Sequence, residues 1–343
     1  MTYPWSWYVD AEVLRAEEER IFTRSWHYVG HTGELGRSGD HFTRTLGRTP
    51  IVVTRAEDDE LRALVNVCRH RGCIVAEGSG NRSTLQCPYH AWTYALDGTL
   101  RAAPRADFDV SEVALLPVRL ERWGPFLFAN ADVDAAPLAE ALGTVPDEIA
   151  DCGIEIHALR YHHRAEWTVG SNWKIACENF LECYHCPVAH KTFSALVDVS
   201  PEAYRLESRG LVSSQYGPLR DNGRAAYDAT GDVRRSQFHF LFPSTAVNVF
   251  PGRPNLSIGT FDPDGADRTR RVLDYFFAPD TDEEWIKELL AFDDEVGRED
   301  TLLVERVQRG VASGAVTRGL LLTDAEQLVA HFQTLLREAL ARD

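Results

Sequence analysis

No stretch of this 343-residue sequence approaches the roughly 18 consecutive apolar residues that a membrane-crossing helix needs. The N-terminus, MTYPWSWYVDAEVLRAEEER, lacks the basic start and apolar core of a secretory signal, so a cytoplasmic protein with no membrane contact is expected. Positive charge is scarce: 36 Lys and Arg stand against 52 Asp and Glu, for a net charge of −16. Nucleic acid rewards basic stripes, so it is not expected as a partner, whereas a basic redox partner or a cationic substrate suits the charge. Cysteine is too sparse for a stapled scaffold: there are seven, an odd number, and disulfides are not expected. Internal repeats and low-complexity tracts are absent too. So is a Gly-rich dinucleotide fingerprint after a strand. With 44% hydrophobic and 26% charged residues, the chain is long enough for two domains or one large one.

The most informative stretch runs from Val67 to Trp92. Cys68 and His70 form a C-x-H pair, sixteen residues intervene, and Cys87 and His90 form a C-x-x-H pair. Two thiolates and two imidazoles suit zinc or a [2Fe–2S] cluster with mixed ligands. A zinc finger places both cysteines before both histidines. Here each loop supplies one of each, so that Cys68 and Cys87 can hold one iron and His70 and His90 the other. Gly72 and Pro88 fit tight loops around a cluster. Cys73 falls outside the pattern and reads as a packed residue, while Trp92 reads as a shield against solvent.

A second concentration of ligand types lies in NWKIACENFLECYHCPVAHKTF. On a helix, Glu182 and His185 are three apart and share a face. Pro187 should end that helix, allowing the chain to bend back and bring His190 beside His185. Cys183, His185, Cys186 and His190 would also make a zinc donor set, at the cost of sharing two helix faces; otherwise Cys177, Cys183 and Cys186 are packed residues. A carboxylate to complete a two-histidine site is offered by Asp300, which interrupts an apolar stripe through Phe292, Val296, Leu303 and Val307. Burying a carboxylate on such a face costs several kcal/mol unless a cation compensates. Asp293, Asp294 and Glu295 read as a solvated face, and Glu178 and Glu305 as structural hydrogen-bond groups.

Around these sites the chain reads as an N-terminal helical segment, 1–38, packed on the last domain, a β domain, 39–130, and an α+β domain, 131–343. The helix DAEVLRAEEERIF presents Val13, Ala16, Ile21 and Phe22 inwards and its acids outwards. HFTRTL, PIVVTRA, LRALVNV, a hairpin at Asp97-Gly98 and VRLERWGPFLFANAD supply strands of the β domain, with the metal loops at its tips. Beyond an Ala-, Pro- and Asp-rich connection come HHRAEWTVG, the Glu182 helix, a loop-rich stretch to about 235, and three strands, FHFLFPSTAVNVF, NLSIGTFDP and RRVLDYFFA. Helices from Asp282 to about Arg309 and from Asp324 to Leu340 close the chain.

C-x-H-R-G with C-P-Y-H-x-W resembles the Rieske iron–sulfur family. E-x-x-H-x-x-x-x-H beside N-W-K, with E-D-x-x-x-x-E-x-x-Q-x-G from Glu299 to Gly310, resembles the mononuclear iron segments of the Rieske non-haem iron oxygenases. With W-H-Y-V-G-H at Trp26 and W-G-P-F-L-F, the resemblance covers nearly the whole chain. It implies an oxygenase (α) subunit with a small all-β Rieske domain and a helix-grip catalytic domain, an antiparallel sheet flanked by helices. It also implies a [2Fe–2S] cluster on Cys68, His70, Cys87 and His90, Fe(II) on His185, His190 and Asp300, and electrons from an NAD(P)H-dependent reductase, directly or through a ferredoxin. Homotrimers are implied, with Glu182 as the carboxylate that bridges His90 of one chain and His185 of the next. Ring dioxygenases carry Asp there. The Glu resembles the branch that hydroxylates or oxidatively N-demethylates choline, carnitine and related quaternary ammonium compounds, so monooxygenation is expected. Tyr204, Tyr216, Phe238, Phe240, Phe242 and Phe250 offer an aromatic cage for a cation, and would equally stack on an aromatic or natural-product substrate. From a different class, a Rieske electron carrier without a second iron would have no use for His185, His190 and Asp300.

Overall fold

The computed structural model of the chain describes residues 2–220 and 226–341. Met1 and residues 342–343, the outer ends of the first and last expected segments, lie outside the described residues, as do residues 221–225 of the loop-rich stretch. The chain forms two compact units, Glu18–Leu138 and Met1–Glu17 with Ala139–Asp343. These borders differ from those expected after residues 38 and 130. Residues 18–38 go with the β unit because His27–His31 is a fully buried strand that pairs with Phe126–Asn130.

Helix α1 (Ala11–Arg20) buries Leu14 and Glu17 rather than Val13 and Ala16, and Ile21 and Phe22 just beyond it are buried as expected. Glu17 departs from the expected solvated face. Lys174 Nζ lies 2.7 Å from its carboxylate and Trp173 Nε1 donates to it at 2.8 Å, so a charge that would be costly alone is compensated.

The β unit holds β1 (His27–His31), β2 (Asp40–Leu46), β3 (Thr49–Arg55), β4 (Leu61–Val65), β5 (Ser79–Asn81), β6 (Leu85–Gln86), β7 (Thr93–Tyr94), β8 (Leu100–Ala102), β9 (Pro117–Trp123) and β10 (Phe126–Asn130). Their order is β1-β10-β9-β4-β3-β2-β5 in one antiparallel sheet and β6-β7-β8 in a second. The two-residue period of β3 places Ile51 and Val53 in one core cluster and Val52 in another, which also holds Cys68, Cys87 and Tyr94. One strand thus supports the sheet on one face and the metal loops on the other. The expected turn at Gly98 has φ +93°, and an added Cβ would lie 2.9 Å from Leu64, so both backbone and space require glycine.

The second unit begins with α2 (Leu138–Leu142) and α3 (Val145–Asp151) in the expected connection, then β11 (Arg160–Val169), α4 (Trp173–Phe180), α5 (Cys186–Ala189) and α6 (Lys191–Leu196). Strands β12 (Arg205–Arg209), β13 (Val212–Pro218), β14 (Arg235–Leu241), β15 (Thr245–Val249), β16 (Asn255–Pro263) and β17 (Thr269–Phe277) follow, then α7 (Glu283–Ala312) and α8 (Gln327–Ala341). The antiparallel order is β11-β17-β16-β15-β14-β13-β12. β12 and β13 correct the loop-rich reading: RLESR carries too little apolar alternation to show as a strand, and the turn at Gly210, φ +57°, pairs it with β13. Helix α7 is capped by Asp282, whose carboxylate accepts from Glu284 N at 3.0 Å and Trp285 N at 3.2 Å. Its buried face runs through Trp285, Ile286, Leu289, Phe292, Val304 and Val311, whereas Val307, expected on it, is 48% exposed.

The expected helix through Glu182 and His185 is also corrected. It ends at Phe180, and Glu182 then caps the next turn, accepting from Tyr184 N at 2.5 Å and His185 N at 3.2 Å. Pro187 sits in the first turn of α5 instead of ending a helix, where its missing N–H costs nothing. Because the chain turns between two helices here, Cys183 and Cys186 come within 4.9 Å at Cα and form a disulfide, against the expectation of none.

In each unit burial pushes one histidine down to about 4: His27, bonded to Phe22 O, and His239, bonded to Ser214 Oγ. Between pH 6.5 and 4 the unfolded chain therefore binds protons that the folded chain refuses. Stability is full above the unfolded pKa and falls with pH, by about 3 kcal/mol for each histidine. Thermal melts should drop steeply over this window and His239→Gln should flatten the decline; a melting temperature constant from pH 6.5 to 4 would contradict the account.

Candidate metal centres

The loop after β4 and the loop after β6 have the same local geometry. Gly72 N donates to Cys68 O at 3.0 Å, and Ala91 N donates to Cys87 O at 3.1 Å. Gly72 has φ +72° and Ala91 φ +58°. A left-handed turn therefore follows each cysteine at the same offset, and at Ala91 it is held against a cost of about 1–2 kcal/mol. The thiols of Cys68 and Cys87 are buried, while His70 and His90 are exposed, with ring centroids 4.7 Å apart. Inner sulfur and outer nitrogen donors fit a two-iron cluster with its histidine end towards solvent. Trp92 stacks on His70 at 4.9 Å and 9°, and Phe108 follows at 5.8 Å, so the shielding expected of Trp92 is a ring contact with a candidate ligand.

Tyr94, which the sequence did not single out, places its hydroxyl 3.3 Å from Cys68 Sγ and accepts from Arg69 N at 3.0 Å. A bond donated to a cluster thiolate stabilises the reduced, more negative state. Losing one bond of about 1–1.5 kcal/mol corresponds to roughly 40–65 mV for a one-electron couple. Tyr94→Phe should lower the midpoint potential by that amount in a redox titration, and an unchanged potential would sink this role.

In the second unit, His185 and His190 flank α5 and Asp300 lies on α7. Among the described residues this is the one group of three His, Cys, Asp or Glu whose ligand atoms all lie within 4.8 Å. His185 Nε2 is 3.1 Å from His190 Nε2, and Asp300 Oδ1 is 2.9 Å from His190 Nε2 and 3.5 Å from His185 Nε2. Metal bonds of about 2.1 Å at right angles place their donors about 3.0 Å apart, so these separations suit three adjacent corners of one ion. His190 Nδ1 is 2.8 Å from Glu299 Oε2, and His185 Nδ1 is bonded to Glu182 Oε1. A carboxylate only accepts, so Nδ1 carries the proton in both rings and Nε2 presents its lone pair inwards. Asn179 Nδ2 orients Asp300 Oδ1 at 2.7 Å.

Without an ion these groups compensate one another. Burial pushes the His185 imidazole down, but Asp300 and Glu182 outweigh it and raise it to about 9. Burial also raises Asp300, and the two imidazoles more than reverse this, to about 2. Glu299 and Asn179 are missed by the sequence reading. Glu299 adjoins Asp300 in the motif, but only the bend of the chain after α5 brings His190 to it.

A cavity of about 890 Å³ opens beside the three residues. Of the six aromatics expected to cage a cation, Tyr204, Phe238 and Phe250 line it, together with Trp167, Phe180, Phe193, Phe261 and Tyr275, which were not foreseen. Tyr216 does not: its neighbour Gln215 faces the cavity, so the strand period turns Tyr216 towards Glu148. Phe240 and Phe242 pack on Phe332. Asp293 departs from the expected solvated face; it lines the cavity and accepts from Tyr275 Oη at 2.6 Å. Glu178 accepts from Tyr3 and Tyr8 at 2.6 Å and Glu305 from Gly170 N at 3.1 Å, both as structural groups.

Residues 25–115 match the family described as Rieske [2Fe-2S] domain, and residues 156–342 match Ring hydroxylating alpha subunit (catalytic domain). The chain is 34% identical over 352 residues to the carnitine monooxygenase oxygenase subunit of Escherichia coli (strain K12), covering 98% of this chain and 93% of that one. It is 34% identical over 357 residues to the chloroplastic choline monooxygenase of Arabidopsis thaliana, covering 99% of this chain and 83% of that one. A solved quaternary ammonium Rieske monooxygenase, CntA, described with carnitine oxidation and inter-subunit electron transfer, superposes with a TM-score of 0.85 at 30% identity, covering 98% of this chain and 95% of that one.

Proposed function

Since this chain belongs to the Rieske ring-hydroxylating oxygenase α subunits, with the [2Fe–2S] cluster and mononuclear iron of that family, we propose that it oxidises a quaternary ammonium compound, by hydroxylation or N-demethylation. We assign the cluster to Cys68, His70, Cys87 and His90, and the single iron to His185, His190 and Asp300. The observation that carries the second assignment is the convergence of two Nε2 atoms and one carboxylate oxygen, with both Nδ1 atoms engaged elsewhere. When bound, the cluster supplies electrons singly, and a ferrous ion on three protein ligands keeps positions open for O2.

The protein's own contribution is positional. Glu182 and Glu299 hold the imidazoles as Nδ1–H tautomers, Asn179 fixes the Asp300 carboxylate, and the aromatic wall excludes water and offers π faces to a cation. We further propose a homotrimer in which His90 of one chain meets Glu182 of the next. Exposed His90 and Tyr89 in one unit, and exposed Tyr184 and Val188 beside Glu182 in the other, support such a contact, and inter-subunit electron transfer is described for CntA. The reading is tested by reconstituting the chain with a reductase and screening quaternary ammonium compounds for O2 uptake coupled to hydroxylated product or formaldehyde. Coupled uptake with an aromatic hydrocarbon and with none of the cations would overturn the substrate class.

A further inference from the structure

The cavity wall contains a cation that the metal sites do not use. Arg271 on β17 is in phase with Leu273 and Tyr275, so all three face the cavity, with Trp167 of β11 and Phe261 of β16 opposite Arg271 on either side. Only 7% of the residue is exposed. Its guanidinium carbon lies 3.7 Å from the Phe261 ring centroid, and NH1 donates to Thr260 O at 2.9 Å and Val272 O at 3.1 Å. Those two bonds use both protons of NH1. Among the described residues no carboxylate comes within 4.0 Å, and Nε and NH2 have no acceptor. Burying a guanidinium so incompletely satisfied is costly, and burial pushes Arg271 down to about 10.

The other charged groups of the wall are paired. Arg298 is with Asp294 at 3.2 Å, Glu166 with Arg270 at 2.6 Å, Glu182 with His185, and Asp300 with both histidines. What remains is Arg271 and, separately, Asp293, held by Tyr275 Oη and without a cation within 4.0 Å among the described residues. The cavity therefore holds a buried guanidinium and a buried carboxylate that attract each other across it but form no direct ion pair, so the guanidinium's Nε and NH2 stay without an acceptor.

Building on the quaternary ammonium reading, we propose that Arg271 is the specificity-determining residue for a carboxylate, so that the substrate is a trimethylammonio carboxylate rather than a simple cation. The free edge of the guanidinium presents Nε and NH2 in the fork that matches a carboxylate with two parallel bonds. The Phe261 face fixes the plane of that fork. The ammonium group lies towards Asp293 and Tyr275, on the aromatic side of the cavity, and the N-methyl groups, or the carbons beside the nitrogen, are the part presented to Asp300. An alcohol of the choline type would leave the guanidinium dry and unpaired, and would be discriminated against for that reason.

The test is calorimetric titration of the cofactor-loaded protein, without O2, with trimethylammonio carboxylates bearing one to four methylenes, with their methyl esters, and with 5,5-dimethylhexanoate, in which carbon replaces the nitrogen of the three-methylene acid. The best acid should bind the wild type about tenfold or more tightly than its ester. In Arg271→Gln the ratio should fall to near one while the Rieske EPR signal persists, and Arg271→Lys should recover part of it. In turnover the loss should appear in KM more than in kcat. Equal binding of acid and ester by the wild type, a ratio preserved in Arg271→Gln, or no binding by any acid would overturn the proposal, and the wild-type comparison holds even if the variants misfold. If choline binds as well as the acids, the anchor fails and the ammonium reading stands. If 5,5-dimethylhexanoate binds as well as its ammonium counterpart and both are lost in Arg271→Gln, the anchor stands and the ammonium reading fails.

Discussion

Asp300→Ala is expected to yield protein that is still brown, that keeps the EPR signal of a reduced Rieske cluster, and that carries roughly two irons per chain in place of three. Turnover should fall by about a thousandfold or more, equivalent to about 4 kcal/mol of lost transition-state stabilisation. Asp300 Oδ1 contacts both Nε2 atoms and is itself oriented by Asn179. Removing it leaves two neutral imidazoles to hold a dication, and it removes the anion that keeps the ion's charge compensated in a largely apolar cavity. Because Cys68, His70, Cys87 and His90 lie in the other unit, the cluster is the internal control. Asp300→Asn keeps the shape and the bond from Asn179 but not the charge, and should bind iron weakly and reversibly. Metal analysis showing three irons per chain in Asp300→Ala would sink the assignment.

Glu182→Ala is expected to keep both metals and lose turnover by at least about a hundredfold, roughly 2.7 kcal/mol. Its carboxylate holds the Nδ1 proton of His185 and accepts from the backbone N–H groups of Tyr184 and His185. The three proposed iron ligands remain in the variant, with affinity reduced by about 10–100-fold, so measurements belong at saturating iron. What disappears is the proposed link to His90 of the adjoining chain. Re-oxidation of the prereduced cluster by O2 with substrate present should slow accordingly, while reduction of the cluster by the reductase should not. Product formation per reducing equivalent that stays unchanged would refute the role.

How much of this was legible in the chain depends on whether a residue acts through its neighbours in sequence. The two Rieske loops were, because Cys68 with Gly72 and Cys87 with Ala91 are local turns whose geometry is set within five residues. The place of Asp300 beside His185 and His190 was, because an acid interrupting an apolar helical stripe needs a reason. Glu182 and His185 came out on the right pair for a partly wrong reason, since the turn that joins them is capped by the Glu182 carboxylate and closed by Cys183–Cys186. Glu17, Glu299 and Arg271 were not legible. Glu17 meets Lys174 across 157 positions and His190 meets Glu299 across 109, and no local pattern reports a contact of that range. Arg271 sits in RRVLDYFFA in phase with Leu273 and Tyr275, a faint signal that only the cavity makes meaningful.

The rings stacked behind His70 bear on the traffic through the cluster. Were His90 both inlet and outlet in the proposed trimer, a reductase could dock only while the neighbouring chain let go, and every turnover would require that trimer to breathe twice. His70, Trp92 and Phe108 lie in succession, and Phe108 is 46% exposed. On the proposed trimer this would give the two histidines separate frontages, one left for a reductase and one turned to the neighbouring chain. In such an assembly loading and unloading would not need to take turns, and the proposed trimer would stay closed throughout the catalytic cycle.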